Sequence, residues 1–186
     1  MTSEIAVIIL AAGKGKRMNS NIPKVLHKLN GTTLIERVIK TSRTLNCKKI
    51  IAVIGHQKEL VKESLREYND VTFAIQNDQK GTAHAVEMCF DSLKDFKGNV
   101  LILSGDVPLI SSKTLEKLIE SKESADAKGS VLTADIDDPK GYGRIIRNSK
   151  GLLNENDILG TVLFLISKNS EFINGQNIVV DDGWSL

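Results

Sequence analysis

Four short aliphatic runs, each followed by a stretch that reads differently, constrain this chain more than any other feature. Residues 5–10, 50–54, 71–75 and 100–103 are rich in Val, Ile and Leu, the composition of strands buried on both faces. Between them the spacing becomes helical. Thr33 and Glu36 stand at capping-box distance, with Leu34, Ile35, Val38 and Ile39 forming one apolar face behind them. Residues 58–68 and 82–93 read as helices too, the second less cleanly amphipathic. Strand–helix alternation with short joints through residue 147 predicts right-handed crossovers. The expected fold is α/β and Rossmann-like: a mostly parallel sheet with helices on both faces. Ligands of such sheets sit at the carboxyl ends of the strands. Residues 10–18, 76–84 and 105–109 fall there and are the candidate site segments.

Composition narrows the classes of function. With 41% apolar and 26% charged residues the chain can bury a core. Aromatic residues make up only 4%, which leaves few stacking platforms for single-stranded nucleic acid. The net charge of +2 gives no broad basic face, so nucleic acid is not an expected partner. Cys47 and Cys89 form no CxxC pair, which argues against a disulfide framework or zinc site and for a reducing, cytoplasmic compartment. The apolar run at residues 158–166 is about half of the roughly 20 residues a membrane helix needs. The apolar N-terminal stretch carries Glu4 rather than a basic leader and reads as a strand. No membrane association is expected.

The segment at residues 10–18 is LAAGKGKRM. Gly13 and Gly15 would let the backbone turn and present N–H groups to an anion. Lys14, Lys16 and Arg17 add positive charge in the same loop, which suits a polyphosphate. The spacing is neither that of a Walker A loop nor GxGxxG, since Met18 stands where the third glycine would be. Pro23 stiffens the chain just before Lys24, which could reach back toward phosphate; a Pro-Lys pair alone reads equally well as a solvated turn. His27, His56 and His84 lie in separate segments without metal-ligand spacing and read as structural.

LAAGKGKRM followed by PKVLHKLNG resembles the signature of sugar-nucleotide pyrophosphorylases. QNDQKGTAHA (residues 76–85), LSGDVPL (103–109) and DDPKGYGRIIR (137–147) extend the resemblance in order and spacing. The nearest resemblance is to the uridylyltransferase domain of bacterial N-acetylglucosamine-1-phosphate uridylyltransferases. It implies a nucleotidyltransferase that joins UTP and N-acetylglucosamine 1-phosphate to give UDP-N-acetylglucosamine, a cell-wall precursor, and pyrophosphate. By that resemblance Leu10, Ala11, Ala12, Gly13 and Gly15 line the nucleotide, and Gln76, Gly81 and Thr82 read the uracil edge. A side-chain amide such as that of Gln76 can both donate and accept. Arg17 would hold the triphosphate, Lys24 would neutralise charge at the reacting centre, and Gly143 would contact the sugar. Asp106 would be a ligand of Mg2+, which favours one or two carboxylates plus phosphate oxygens and waters. Standing alone, an aspartate there reads equally as a turn or helix-capping residue.

The pattern stops after Arg147. The remaining stretch, with SEFINGQNIVVDDGW near its end, resembles the C-terminal end of short-chain dehydrogenases over residues 156–186. No Tyr-x-x-x-Lys pair accompanies it, so hydride transfer is not expected. Asp157 can cap a helix through Ile166, and residues 178–180 read as a strand. The expected organisation is thus a truncated nucleotidyltransferase-type domain over residues 1–150, with a helix-plus-strand tail over 151–186 packing on the same sheet. Leu159, Val162, Leu163 and Ile166 are compatible with a homodimer, and equally with a helix folded onto its own sheet. Two functional readings remain open: a uridylyltransferase impaired in its sugar half, and a non-catalytic nucleotide-binding module or pseudoenzyme.

Overall fold

The computed structural model describes residues 3–15, 18, 20–127, 129–133 and 137. The expected tail helix, the strand at 178–180 and the tail's packing lie outside the described residues.

Strand β1 (Ile5–Ala11) leads into a single 3-10 turn (Lys24–Leu26) and a small antiparallel hairpin, β2 (Lys28–Leu29) and β3 (Thr32–Thr33). Asn30 and Gly31 turn that hairpin with φ of 50° and 79°, the left-handed pair that an Asn-Gly hairpin turn requires. Helix α1 (Leu34–Arg43) follows, opened by the predicted capping box. The Thr33 hydroxyl accepts from Glu36 N at 3.3 Å, and Thr33 N donates to Glu36 Oε2 at 2.8 Å. Next come β4 (Lys49–Ile54), α2 (Lys58–Ser64), β5 (Val71–Ile75), α3 (Thr82–Glu87), α4 (Phe90–Leu93), β6 (Asn99–Ser104) and α5 (Ser112–Ser124).

The four long strands form a parallel sheet in the order β5-β4-β1-β6. The order reverses at β1, so a crevice opens at the carboxyl ends of β1 and β6. Helices cover both faces, as the sequence predicts. On one face Val7, Ile9, Ile50 and Ile54 pack with Ile35, Val38 and Ile39 of α1, Val61 of α2 and Leu115 of α5. On the other, Ile8, Ile51, Val53 and Ala74 meet Ala85 and Cys89. Ile8, Ile9, Ile51 and Ile54 are fully buried, each favoured by about 1.5–3 kcal/mol over an exposed side chain. Among the described residues no helix is long and apolar enough to cross a membrane.

Three expectations need correction. Only β1 and β4 are largely buried on both faces; β6 alternates, and β5 buries Val71 on one face and Ala74 on the other while exposing Thr72 and Ile75. Val100 and Ile102 remain 44% and 48% exposed, because no described helix covers β6 on the face that carries α3 and α4. The single helix expected over residues 82–93 is two short ones. Cys89 N bonds to Val86 O at 2.9 Å, an i→i−3 contact that tightens the turn between them. Cys89 is thereby buried against the sheet. Helix 58–68 likewise ends early, at Ser64, and Tyr68 sits in the turn that follows.

Candidate functional site

Beyond β1 the chain enters the glycine-rich loop at the carboxyl edge of the sheet. Ala11 and Ala12 are buried, and their methyl groups join the cores on opposite faces. What this stretch offers a ligand is therefore backbone. Two carbonyls are already engaged. Leu10 O accepts from Gly105 N at 2.9 Å, and Ala12 O accepts from His56 N at 3.3 Å and from Gln79 Nε2 at 2.6 Å. Gly15 makes the turn, with φ +58° and room for a Cβ only at 3.1 Å from Lys24 Cβ. Gly13 differs from the expectation. Its backbone is not left-handed, and a Cβ there would enter open space, so Gly13 leaves room rather than forming the turn.

Lys24 opens the 3-10 turn behind Pro23. Its ammonium is ion-paired with the carboxylate of Asp106. Asp106 lies just past β6, after Gly105, whose Cβ position is 2.9 Å from Leu10 O; only a glycine lets the two strand tips meet so closely. The lysine expected at phosphate and the aspartate expected at metal thus meet at the crevice between β1 and β6. Asp106 caps no helix: Ser111 caps α5, its hydroxyl accepting from Thr114 N at 3.1 Å.

Across the loop, at the tips of β4 and β5, Gln76 is buried at 3% exposure. Its amide nitrogen donates to Gly81 O at 3.0 Å and lies 3.1 Å from His84 Nδ1. Gly81 has φ +98° and precedes Thr82, the first residue of α3. The sequence reading of an amide that both donates and accepts is narrowed here, because both N–H groups already have protein partners. An open cleft of about 500 Å³ lies alongside, lined by Lys14, Gly55, His56 and residues 77–80. Lys58 and Lys80 border it, the first on Asn77 Oδ1 at 3.2 Å and the second on Asp78 at 3.6 Å.

The structure thus brings Leu10, Ala11, Ala12, Gly13, Gly15, Lys24, Gln76, Gly81, Thr82 and Asp106 to one edge of one sheet. Arg17 and Gly143 lie outside the described residues. Sequence reasoning missed Gly55, Gln79 and His84. Gly55 is the contact point of the two strand tips: a Cβ there would lie 2.6 Å from Gln76 O and 3.0 Å from Ala12 Cβ. Its position directly after an aliphatic run was the available signal. Gln79 and His84 act through contacts between segments, and only their place inside the 76–85 motif marked them. Neither cysteine is a nucleophile candidate. Both are free, and burial pushes the Cys89 thiol up to about 11.

Comparison with known proteins fits this geometry. The sequence matches the profile of the MobA-like NTP transferase domain over residues 7–149. The chain belongs to that family. Among its NTP transferase relatives, the Bifunctional protein GlmU of Synechococcus sp. (strain RCC307) is 43% identical over 81% of this chain and 33% of its own length. The Bifunctional protein GlmU of Geotalea uraniireducens is 45% identical over the same share of the chain and a like share of its own. The chain therefore spans about a third of the length of these relatives. A solved nucleotidyl transferase from Methanothermobacter thermautotroptrophicus superposes with a TM-score of 0.54 at 27% identity, over 63% of this chain and 57% of the other. HddC from Yersinia pseudotuberculosis, solved with GMP-PN, shares the fold with a TM-score of 0.56 at 20% identity, over 80% of this chain and 67% of its own.

Proposed function

We propose that this NTP transferase domain binds UTP with Mg2+ and transfers its uridylyl group to a sugar 1-phosphate, with N-acetylglucosamine 1-phosphate as the sugar substrate. The observation that carries the reading is the Lys24–Asp106 pair beside the glycine-rich loop, within the same strand-tip edge as Gln76 and Gly81. In the reaction a phosphate oxygen of the sugar 1-phosphate attacks the α-phosphorus of UTP in line. The bond to the bridging oxygen of the β-phosphate breaks, and pyrophosphate leaves. Such chemistry depends mostly on positioning and charge neutralisation. Backbone N–H groups of the loop, with Lys14 and Arg17, would hold the triphosphate. Lys24 would release Asp106 and turn its ammonium to the phosphate at the reacting centre.

The donor set suits Mg2+. Asp106 is a half-buried carboxylate that already holds a cation, the Lys24 ammonium, and Mg2+ takes one or two carboxylates alongside phosphate oxygens and waters. Bound there, the ion would neutralise phosphate charge. Asp106 would hold it, and Gly143 would contact the sugar.

The reading of a binding module without turnover is favoured by one observation: the family match ends at residue 149, while the sequence continues with a stretch of different resemblance. One experiment separates the two. Pyrophosphate release is followed with UTP, Mg2+ and N-acetylglucosamine 1-phosphate, and UTP binding is measured by calorimetry on the same preparation. Release supports the transferase, expected to be slower than a full-length relative assayed alongside. Mg2+-dependent binding without release supports the module, and no binding refutes both.

A further inference from the structure

The amide of Gln76 has its orientation fixed from two sides. Gly81 O can only accept, so the nitrogen of the amide must face it, at 3.0 Å. The same nitrogen lies 3.1 Å from His84 Nδ1. An amide nitrogen has two hydrogens and no lone pair to share, so Nδ1 must be the acceptor and the ring proton must sit on Nε2. Both donors of Gln76 are then engaged within the protein. Its oxygen has no hydrogen-bond partner among the described residues. The one buried side-chain polar atom without a partner among those residues is His27 Nε2. The backbone beneath is equally constrained: Gln76 N donates to Ile54 O at 2.8 Å, and Gly55 packs against Gln76 O. Gln76 therefore presents a single acceptor, Oε1, at the site edge.

We propose that His84 is a positioning residue that locks the Gln76 amide with its oxygen toward the nucleobase, so that the site selects a base offering an N–H there, as uracil does at N3. This rests on the uridylyl reading above and deepens it. Rotation of the amide would set Oε1 against the carbonyl of Gly81 and would require the His84 ring proton to move from Nε2 to Nδ1. Without His84 only the Gly81 bond opposes that rotation. A neutral hydrogen bond contributes about 0.5–1.5 kcal/mol, so losing the His84 contact weakens base recognition by roughly twofold to tenfold. Triphosphate recognition is untouched, because His84 contacts neither the glycine-rich loop nor Lys24 among the described hydrogen bonds.

The test titrates the full chain and two variants, His84→Ala and His84→Asn, with three probes in Mg2+: UTP, 3-methyluridine triphosphate and inorganic tripolyphosphate. The wild type is expected to prefer UTP to the N3-methylated analogue. His84→Ala should lose about fivefold for UTP and nothing for tripolyphosphate, so the preference for UTP shrinks. His84→Asn, whose Oδ1 can stand where Nδ1 stood, should recover most of it. Nitrogen NMR of the ligand-free protein should find the His84 proton on Nε2. A proton on Nδ1, an equal loss for UTP and tripolyphosphate, or an Asn variant no better than Ala would each overturn the role of His84. Those results arise against intact UTP binding by the wild type. If the wild type itself fails to bind UTP, the uridylyl reading falls, and the base-selecting role falls with it.

Discussion

Gly55→Ala is the substitution that most directly couples the fold to the site. An added Cβ would lie 2.6 Å from Gln76 O, 3.0 Å from Ala12 Cβ and 3.2 Å from Ala12 O. Two of those atoms are backbone, so no flexible side chain can swing aside. Restoring an ordinary contact of 3.4 Å to Gln76 O needs a shift of about 0.8 Å, and moving away from it presses on Ala12. Overpacking of this kind costs about 1–3 kcal/mol. With a urea m-value of about 1–3 kcal/mol/M, the unfolding midpoint should fall by roughly 1 M. The same shift exceeds the spread of about 0.5 Å within which an N–H···O bond stays good. At least one bond of the Gln76 amide should then be lost, weakening UTP binding by roughly twofold to tenfold. Urea unfolding followed by circular dichroism, with calorimetric titration of UTP, reads both effects. Gly13→Ala is the control, because its Cβ would enter open space, and its stability should match the wild type. A Gly55→Ala protein with an unchanged midpoint would refute the packing argument. One that loses stability yet binds UTP normally would refute the coupling of the β4 tip to the base.

Thr33→Ala removes the α1 cap and should cost about 1 kcal/mol, lowering Tm by a few degrees for a chain of this size in a thermal melt. Glu36 links the same cap to pH. Burial acts to raise its pKa, but hydrogen bonds from the Thr33 side chain and backbone and from Tyr68 outweigh it and hold the carboxyl below its ordinary 4.5. Its contribution is thus complete above pH 4.5 and is lost as pH falls through the lowered folded value, so Glu36→Gln should flatten the acid limb of a stability–pH curve. Asp106→Ala should weaken UTP binding in Mg2+ and leave it unchanged in EDTA; equal loss in both would place Asp106 outside a metal site. Arg17→Ala should weaken UTP more than UMP, and an equal loss for the two would show that Arg17 does not reach the outer phosphates.

The central strands were legible because burial on both faces leaves little chemistry but Val, Ile and Ala, and residues 5–11 and 49–54 are nearly nothing else. Edge-ward strands carry a mixed signal. β6 alternates buried Leu101 and Leu103 with exposed Val100 and Ile102, yet all four are aliphatic, so composition alone reads it as doubly buried. Helix α5 escaped the reading for the opposite reason. Only Leu115 is buried in it, and a stripe so narrow is a weak periodic signal. Its start was nevertheless written in Ser111 and Thr114, a capping pair ahead of a short apolar stripe of Leu115, Leu118 and Ile119. The hairpin turn at Asn30-Gly31 was equally explicit, but two-residue strands are too short to show alternation.

The site divides along the same line. Lys24 and Asp106 were legible only through the family resemblance, since each alone reads equally as a turn residue, and the fold pairs them at the crevice between β1 and β6. Residues that work by holding others were not legible. Nothing about a histidine two places after Thr82 says that it faces a glutamine six residues before that threonine, just past the end of β5. Nothing about Gln79 says that its amide reaches back to Ala12. Those contacts depend on β5 lying beside β4 and β4 beside β1, which the chain specifies only once all three are packed. The functional consequence is asymmetric. Charge placement at phosphate is tolerant, since ammonium and guanidinium groups attract anions over several ångströms. Reading a base edge depends on one lone pair within a few tenths of an ångström. On the function proposed above, the part of this site that sequence motifs conveyed is the part that would recognise any nucleotide. The part that would choose among nucleotides, the Gly55 contact and the His84–Gln76–Gly81 clasp, is set by the packing of strand tips.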